Sequence, residues 1–182
     1  MSDTTTSSDE ELMRQVAERG SHAALSTLYA RHHRSLLHFF YRGLGDSEQA
    51  QDFLQELFLK LAERPERYEA GRSFRTWVLT IAANMLKNEY RRRSVRARPL
   101  PQLSQTYALL DDEASDRSLW AEALQAGLQE LSDAHREVIL LRYQQELSLR
   151  EIGEIVQCAE GTVKSRIFYA LQHLAARLGR KP

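Results

Sequence analysis

One cysteine, four prolines and eight glycines are all that this 182-residue chain holds of the residues that staple, break or loosen a backbone. The lone Cys158 excludes an intramolecular disulfide and any cysteine-based zinc cluster. Long apolar runs are lacking too: nothing approaches the roughly 18 consecutive residues of a membrane span. The start, MSDTTTSSDEE, is polar and acidic where a signal peptide is basic and then apolar. A cytoplasmic protein is expected. Neither charge sign is in excess, since 25 basic residues meet 25 acidic ones, so affinity for nucleic acid or an anionic surface must come from local patches. Three of the prolines, Pro99, Pro101 and Pro182, lie mid-chain or at the end, leaving long stretches free to be helical.

What is present is helical periodicity. At roughly 150 residues per domain the length allows one medium domain or two small ones, and a hydrophobic fraction of 42% supports a packed core. Ser8 and Glu11 have capping-box spacing before ELMRQVAER, and Gly20 is placed to end that helix. Apolar residues recur at helical intervals from His22 to Tyr41, again at Ala50, Phe53, Leu54, Leu57, Phe58 and Leu61, and again from Phe74 to Leu86. This predicts a four-helix unit over 10–95 behind a polar tail at 1–9. Periodicity disappears over 96–118, read as a flexible linker, and returns over 119–182 as a second small helical unit. The expected fold class is all-α, two small helical domains joined by that linker.

Charge is segmented along the chain. Residues 85 to 98 carry Lys87, Arg91, Arg92, Arg93, Arg96 and Arg98 against Glu89 alone, whereas Asp111, Asp112, Glu113 and Asp116 make the linker's end acidic. The terminal stretch from residue 160 is again basic, so each helical unit ends in a positive segment, as two phosphate-facing sites would.

The sharpest local signal is LSLREIGEIVQCAEGTVKSRIFYALQHL, from Leu147 to Leu174. Ser148 and Glu151 form a second capping box, a break spans Gln157 to Ala159, and a further helix follows, which is helix-turn-helix spacing. Val163, Ile167, Ala170, Leu171, Leu174 and Leu178 make its core stripe, while Gly161, Thr162, Lys164, Ser165, Arg166 and Phe168 supply a face suited to a major groove. The plain alternative is a helical hairpin with a solvated basic face. In FRTWVLTIAANMLKNEYRRR, Asn84, Asn88, Arg91 and Arg92 put amides and guanidiniums near one stripe, where they suit bases and phosphates; Trp77 on that stripe reads as core. In DFLQELFLK, Asp52, Gln55, Glu56 and Leu59 line a polar stripe suited to a basic protein surface, or an ordinary solvated face. His22, His32, His33 and His38 are clustered without carboxylates at matching spacing, so no metal is assigned, and Cys158 is expected to pack as a small apolar residue.

Taken together and in order, EELMRQVAERGSHAALSTLY, DFLQELFLKL, FRTWVLTIAANMLKNEYRRR and LQELSDAHREVILLRYQQELSLREIGEIVQCAEGTVKSRI resemble the extracytoplasmic-function sigma factors of bacterial transcription. The resemblance runs from about Glu10 to Leu178. It implies a non-enzymatic initiation factor without cofactor, small-molecule substrate or membrane insertion, whose partners are core RNA polymerase, promoter DNA and an anti-sigma factor. It gives Asp52, Gln55, Glu56 and Leu59 to docking on the polymerase clamp helices. Asn84, Asn88, Arg91 and Arg92 go to the minus-ten element. The loop holding Arg67, Tyr68, Gly71 and Arg72 goes to a flipped-out base, and the Gly161–Phe168 face to the minus-thirty-five element. Four positions depart from the common pattern of the family: Asn88 in place of aspartate, Gln157 of glycine, Ala159 of serine and Tyr169 of arginine. Gln157 is thus expected to be strained and Ala159 to leave a helix start uncapped. A free-standing helix-turn-helix regulator that needs no polymerase is the competing reading.

Overall fold

The structure, a computed structural model, describes residues 7–69, 71–95 and 115–179. Helix α1 spans Asp9–Arg19, α2 His22–Leu44, α3 Ser47–Glu63 and α4 Phe74–Val95. Helices α5 (Ser115–Glu130), α6 (Asp133–Ile139), α7 (Leu149–Val156) and α8 (Glu160–Arg177) follow. No strand occurs among the described residues. Helix α5 begins inside the stretch read as linker; residues 96–114 lie outside the described residues.

Local chemistry sets most of the boundaries. Ser8 accepts the Glu11 backbone N–H at 3.2 Å to open α1, and Gly20, at φ 60, closes it in the left-handed region glycine tolerates. The reciprocal arm of the expected capping box is not made, because Glu11 instead receives the Arg14 guanidinium at 2.7 Å. Ser21 and Asp46 cap α2 and α3 in the same way. Leu12, Met13, Leu28, Phe39, Phe40, Leu57, Leu61, Phe74 and Leu79 bury completely, or nearly so, among the first four helices. Val138, Leu141, Ile152, Val163, Ala170 and Leu174 do so in the second group. Both sets belong to one continuous apolar cluster, with α4 packed on α7 and α2 on α5.

Polar contacts at this junction are buried. Gln125 is fully enclosed; its amide nitrogen donates to the Tyr41 and Arg42 carbonyls at 3.3 and 3.4 Å, and its oxygen accepts from Arg42 at 3.1 Å. Gln129 donates to the Arg42 carbonyl at 3.0 Å. Carbonyls at the end of α2, where intrahelical partners run out, are thus met by side chains from α5. After α6 the chain makes one π-helical turn, Leu140–Gln144, and Glu146 takes φ 52. This re-aims Gln145, which is buried and exchanges hydrogen bonds with Ser35 of α2, while Arg75 of α4 donates to its carbonyl.

Candidate nucleic-acid interface

On α3 the buried stripe of Ala50, Leu54, Leu57 and Leu61 turns the opposite side outward. Asp52, Gln55, Glu56 and Leu59 are all exposed there, at i, i+3, i+4 and i+7, and Leu59 keeps 60% of its surface in water.

Beyond the short turn Pro65–Arg67, the loop to Ser73 is built around Tyr68. The Tyr68 ring meets the edge of Trp77 at 5.1 Å and of Phe74 at 6.4 Å, and its hydroxyl donates to the Arg72 carbonyl. Gly71 adopts φ 89, a left-handed conformation that favours glycine, and Arg67 and Arg72 are exposed. Burial raises the Tyr68 phenol above its ordinary value, and the nearby carboxylates of Glu10 and Asp9 add to the shift, so the hydroxyl remains a donor.

Helix α4 carries two faces. Trp77 is buried under Tyr68, as expected, whereas Asn84, Asn88 and Arg91, at i+7, i+11 and i+14 from it, emerge on the same stripe, exposed, with Arg92 beside them. Arg92 pairs with the buried Glu89 at 2.5 Å. Arg93 turns inward: it bonds Glu89 at 3.0 Å, the Leu44 carbonyl at 3.1 Å and Gln49. The run of three arginines therefore divides between outer surface and scaffold.

In the second unit both arms of the Ser148–Glu151 capping box are present, at 3.2 and 2.8 Å, and these bonds hold the Glu151 carboxyl below its ordinary range. Gly153 is needed here, since a Cβ would lie 2.7 Å from the Cys158 backbone oxygen. Gln157 occupies φ 56, ψ 50, the strained position expected of it, and Ala159 starts α8 without a side-chain cap. Cys158 is half-buried against the core. On α8, Gly161, Thr162, Lys164, Ser165 and Phe168 are exposed. Phe168 keeps 56% of its surface in water, and Ser165 donates to the Gly161 carbonyl at 2.9 Å. Arg166 sits on the flank, half-buried, where with Lys87 of α4 it faces Glu137 of α6.

Glu10 carries a contact that no local pattern announced. Its Oε1 accepts the Phe74 backbone N–H at 3.1 Å, 64 residues away, and an acid in the first turn of α1 has its ordinary reading as a dipole partner of that helix alone. Among the clustered histidines, His32 bonds Asp9 of α1 at 2.7 Å and His33 stacks on Tyr29. No group of three or more metal-ligating side chains occurs among the described residues, and none of the helices there is long and apolar enough to cross a membrane.

Comparison with known proteins places the chain in a family frame. Sigma-70 region 2 matches residues 28–96, and Sigma-70 region 4 matches 127–176. The chain is 30% identical over 177 residues to the RNA polymerase sigma-H factor of Pseudomonas aeruginosa, covering 91% of each. It is 37% identical over 164 residues to the ECF RNA polymerase sigma factor SigL of Mycobacterium tuberculosis, covering 86% of this chain and 89% of that one. Among solved structures, CnrH in complex with the cytosolic domain of CnrY superposes with a TM-score of 0.73 at 22% identity, over 97% of this chain and 98% of that one. The sigma factor RpoE of Bartonella quintana, in complex with the anti-sigma factor NepR, gives 0.73 at 21% identity, over 86% and 98%. At these identities the likeness concerns the fold.

Proposed function

The chain belongs to the RNA polymerase sigma factors of the extracytoplasmic-function class, and from that premise we propose that its three exposed faces divide the work of transcription initiation. The protein binds core RNA polymerase, recognises the minus-ten and minus-thirty-five promoter elements and starts DNA-templated transcription at them, acting by binding inside the cell rather than by catalysis. The α3 face of Asp52, Gln55, Glu56 and Leu59 docks on the polymerase. The loop side chains Arg67, Tyr68 and Arg72, with Gly71 shaping the turn, take the separated minus-ten strand, and Asn84, Asn88, Arg91 and Arg92 read beside it. Gly161, Thr162, Lys164, Ser165, Arg166 and Phe168 read the minus-thirty-five element in the major groove.

The observation that carries this reading is that the three faces, apart from the half-buried Tyr68 and Arg166, are exposed together on elements whose other sides are buried in one core. Their placement also sets a requirement. The two elements lie about 25 base pairs, hence about 85 Å, apart along DNA at ~3.4 Å per pair. A compact body of this length has a radius of gyration of roughly 16 Å. The α2–α5 and α4–α7 junctions must therefore open on the promoter, with polymerase holding the two units apart. An anti-sigma factor is the natural third partner, one that keeps the polymerase face covered; the Bartonella relative was captured with such a factor.

The test is run-off transcription from a promoter library with core polymerase, with and without this protein, beside DNA binding by the protein alone. Transcripts that require both components, with weak binding by the free protein, support the assignment. Tight binding to one operator without polymerase, and no initiation, would replace it with a free-standing regulator.

A further inference from the structure

We propose that Glu10 is a positioning residue for capture of the single-stranded promoter, fixing the junction of the loop 67–73 with α4 from outside both. The inference rests on the reading of that loop given above. Helix α1 contributes nothing to the three faces, yet it packs against the turn Pro65–Arg67 and the start of α4. It is firmly seated: Leu12, Met13 and Val16 are buried, and Asp9 pairs with Arg31 and His32 of α2, each at 2.7 Å. Glu10 is thereby brought to a fixed place.

There its Oε1 accepts the Phe74 N–H at 3.1 Å, one of the backbone donors that a helix start leaves without an intrahelical partner. Ser73 accepts a second, from Thr76 at 3.4 Å. A carboxylate at this point also meets the positive end of α4. Phe74, fully buried, touches Tyr68, which rests on Trp77 and holds the Arg72 carbonyl. One carboxylate thus sets both where the loop ends and where its aromatic floor lies relative to Asn84 and Asn88. A binding constellation of this kind works only when its supporting contacts hold it to within about half an ångström.

The experiment uses the full chain bound to core polymerase and two fork-junction DNAs that share one duplex with a minus-thirty-five element. One fork carries the bases of the displaced minus-ten strand, and the other has abasic sites there. Wild-type holoenzyme is expected to prefer the base-bearing fork. Glu10→Ala should shrink that preference about fivefold, the scale of a lost helix cap, with affinity for core and for the abasic fork unchanged. Glu10→Gln, which keeps the acceptor oxygen without the charge, should lose about twofold, and it carries the test if the alanine variant folds poorly. An equal loss on both forks, or no loss in either variant, overturns the role of Glu10 while leaving the loop's role standing. If wild-type holoenzyme binds the two forks alike, the reading of the loop fails and the proposal falls with it.

Discussion

Arg136 of α6 donates to the Gly43 carbonyl at the end of α2, 3.3 Å away across the junction of the two units. The same guanidinium bonds the Leu128, Gln129 and Leu131 carbonyls at 2.7, 2.9 and 3.0 Å and lies 5.0 Å from the Tyr90 ring centre, with 5% of its surface exposed. Tyr90 itself donates to Gly43 at 3.2 Å. A single cation therefore closes the end of α5 and ties it to α2.

Arg136→Ala is expected to lower the unfolding free energy by about 3 kcal/mol, because several carbonyls lose a charged donor at once and stay buried. Arg136→Lys should recover little, since one ammonium cannot span four acceptors that a planar fork reaches. Urea denaturation followed by circular dichroism measures both; a loss below about 1 kcal/mol would remove Arg136 from this role.

Two departures from the family pattern define stabilising variants. Gln157 sits at φ 56, where a Cβ costs on the order of 1 kcal/mol, and Gln157→Gly relieves it against some loss of chain entropy. Ala159 already has the extended φ −64, ψ 147 of a helix cap but no oxygen, so Ala159→Ser should add about 1 kcal/mol. The double variant is expected to raise stability by about 1–2 kcal/mol and to bind minus-thirty-five DNA with lower entropic penalty; a melting temperature equal to wild type contradicts the account.

These two residues also show what was legible in the sequence. Caps, turns and apolar stripes are local, so Ser148 with Glu151, Gly20 and the buried Trp77 are where the pattern puts them, while the strain at Gln157 follows from the family resemblance. The exposed stripes on α3 and α8 follow from the same periodicity, being what remains once the apolar side is buried, except that Leu171, expected in the core stripe of α8, keeps 41% of its surface in water. Contacts between distant segments are not written in any local spacing. The inward turn of Arg93 depends on Gln49 and the Leu44 carbonyl, and the cap by Glu10 depends on the seating of α1. The π turn at Leu140–Gln144 has no signature in LLRYQ, and it is the burial of Gln145 against Ser35 that it serves.

The α3 face offers a clean separation of binding from stability. Asp52 and Glu56 are exposed, and among the described residues the ion pair on this face joins Glu56 to Lys60 one turn on, so charge reversal should leave the melting temperature within a degree or two. Asp52→Lys with Glu56→Lys is expected to weaken binding to core polymerase at least tenfold, with the loss diminishing at high salt. Competition for core against the unaltered protein reads this directly. Unchanged competition would move the docking face elsewhere.

Glu137 makes the junction sensitive to pH in a direction opposite to ordinary acid denaturation. Burial raises its carboxyl from the ordinary 4.5 to about 7, against the pull of Lys87 and Arg166, with Asp133 adding to the rise. The folded state therefore holds a proton that the unfolded chain has released, and by linkage stability falls as pH climbs from about 4.5 to about 7, then levels off. Allowing for the partial exposure of the carboxyl, the change is on the order of 2 kcal/mol. The informative quantity is the difference between wild type and Glu137→Gln, which carries no charge at any pH. The two should be nearly equal in stability at pH 4.5, and the glutamine variant should be the more stable by on the order of 2 kcal/mol at pH 8. Denaturation midpoints taken across that range decide it. A constant difference would mean that Lys87 and Arg166 hold Glu137 ionised throughout, and the junction would then be a salt bridge across the two helical units rather than a protonated contact between them.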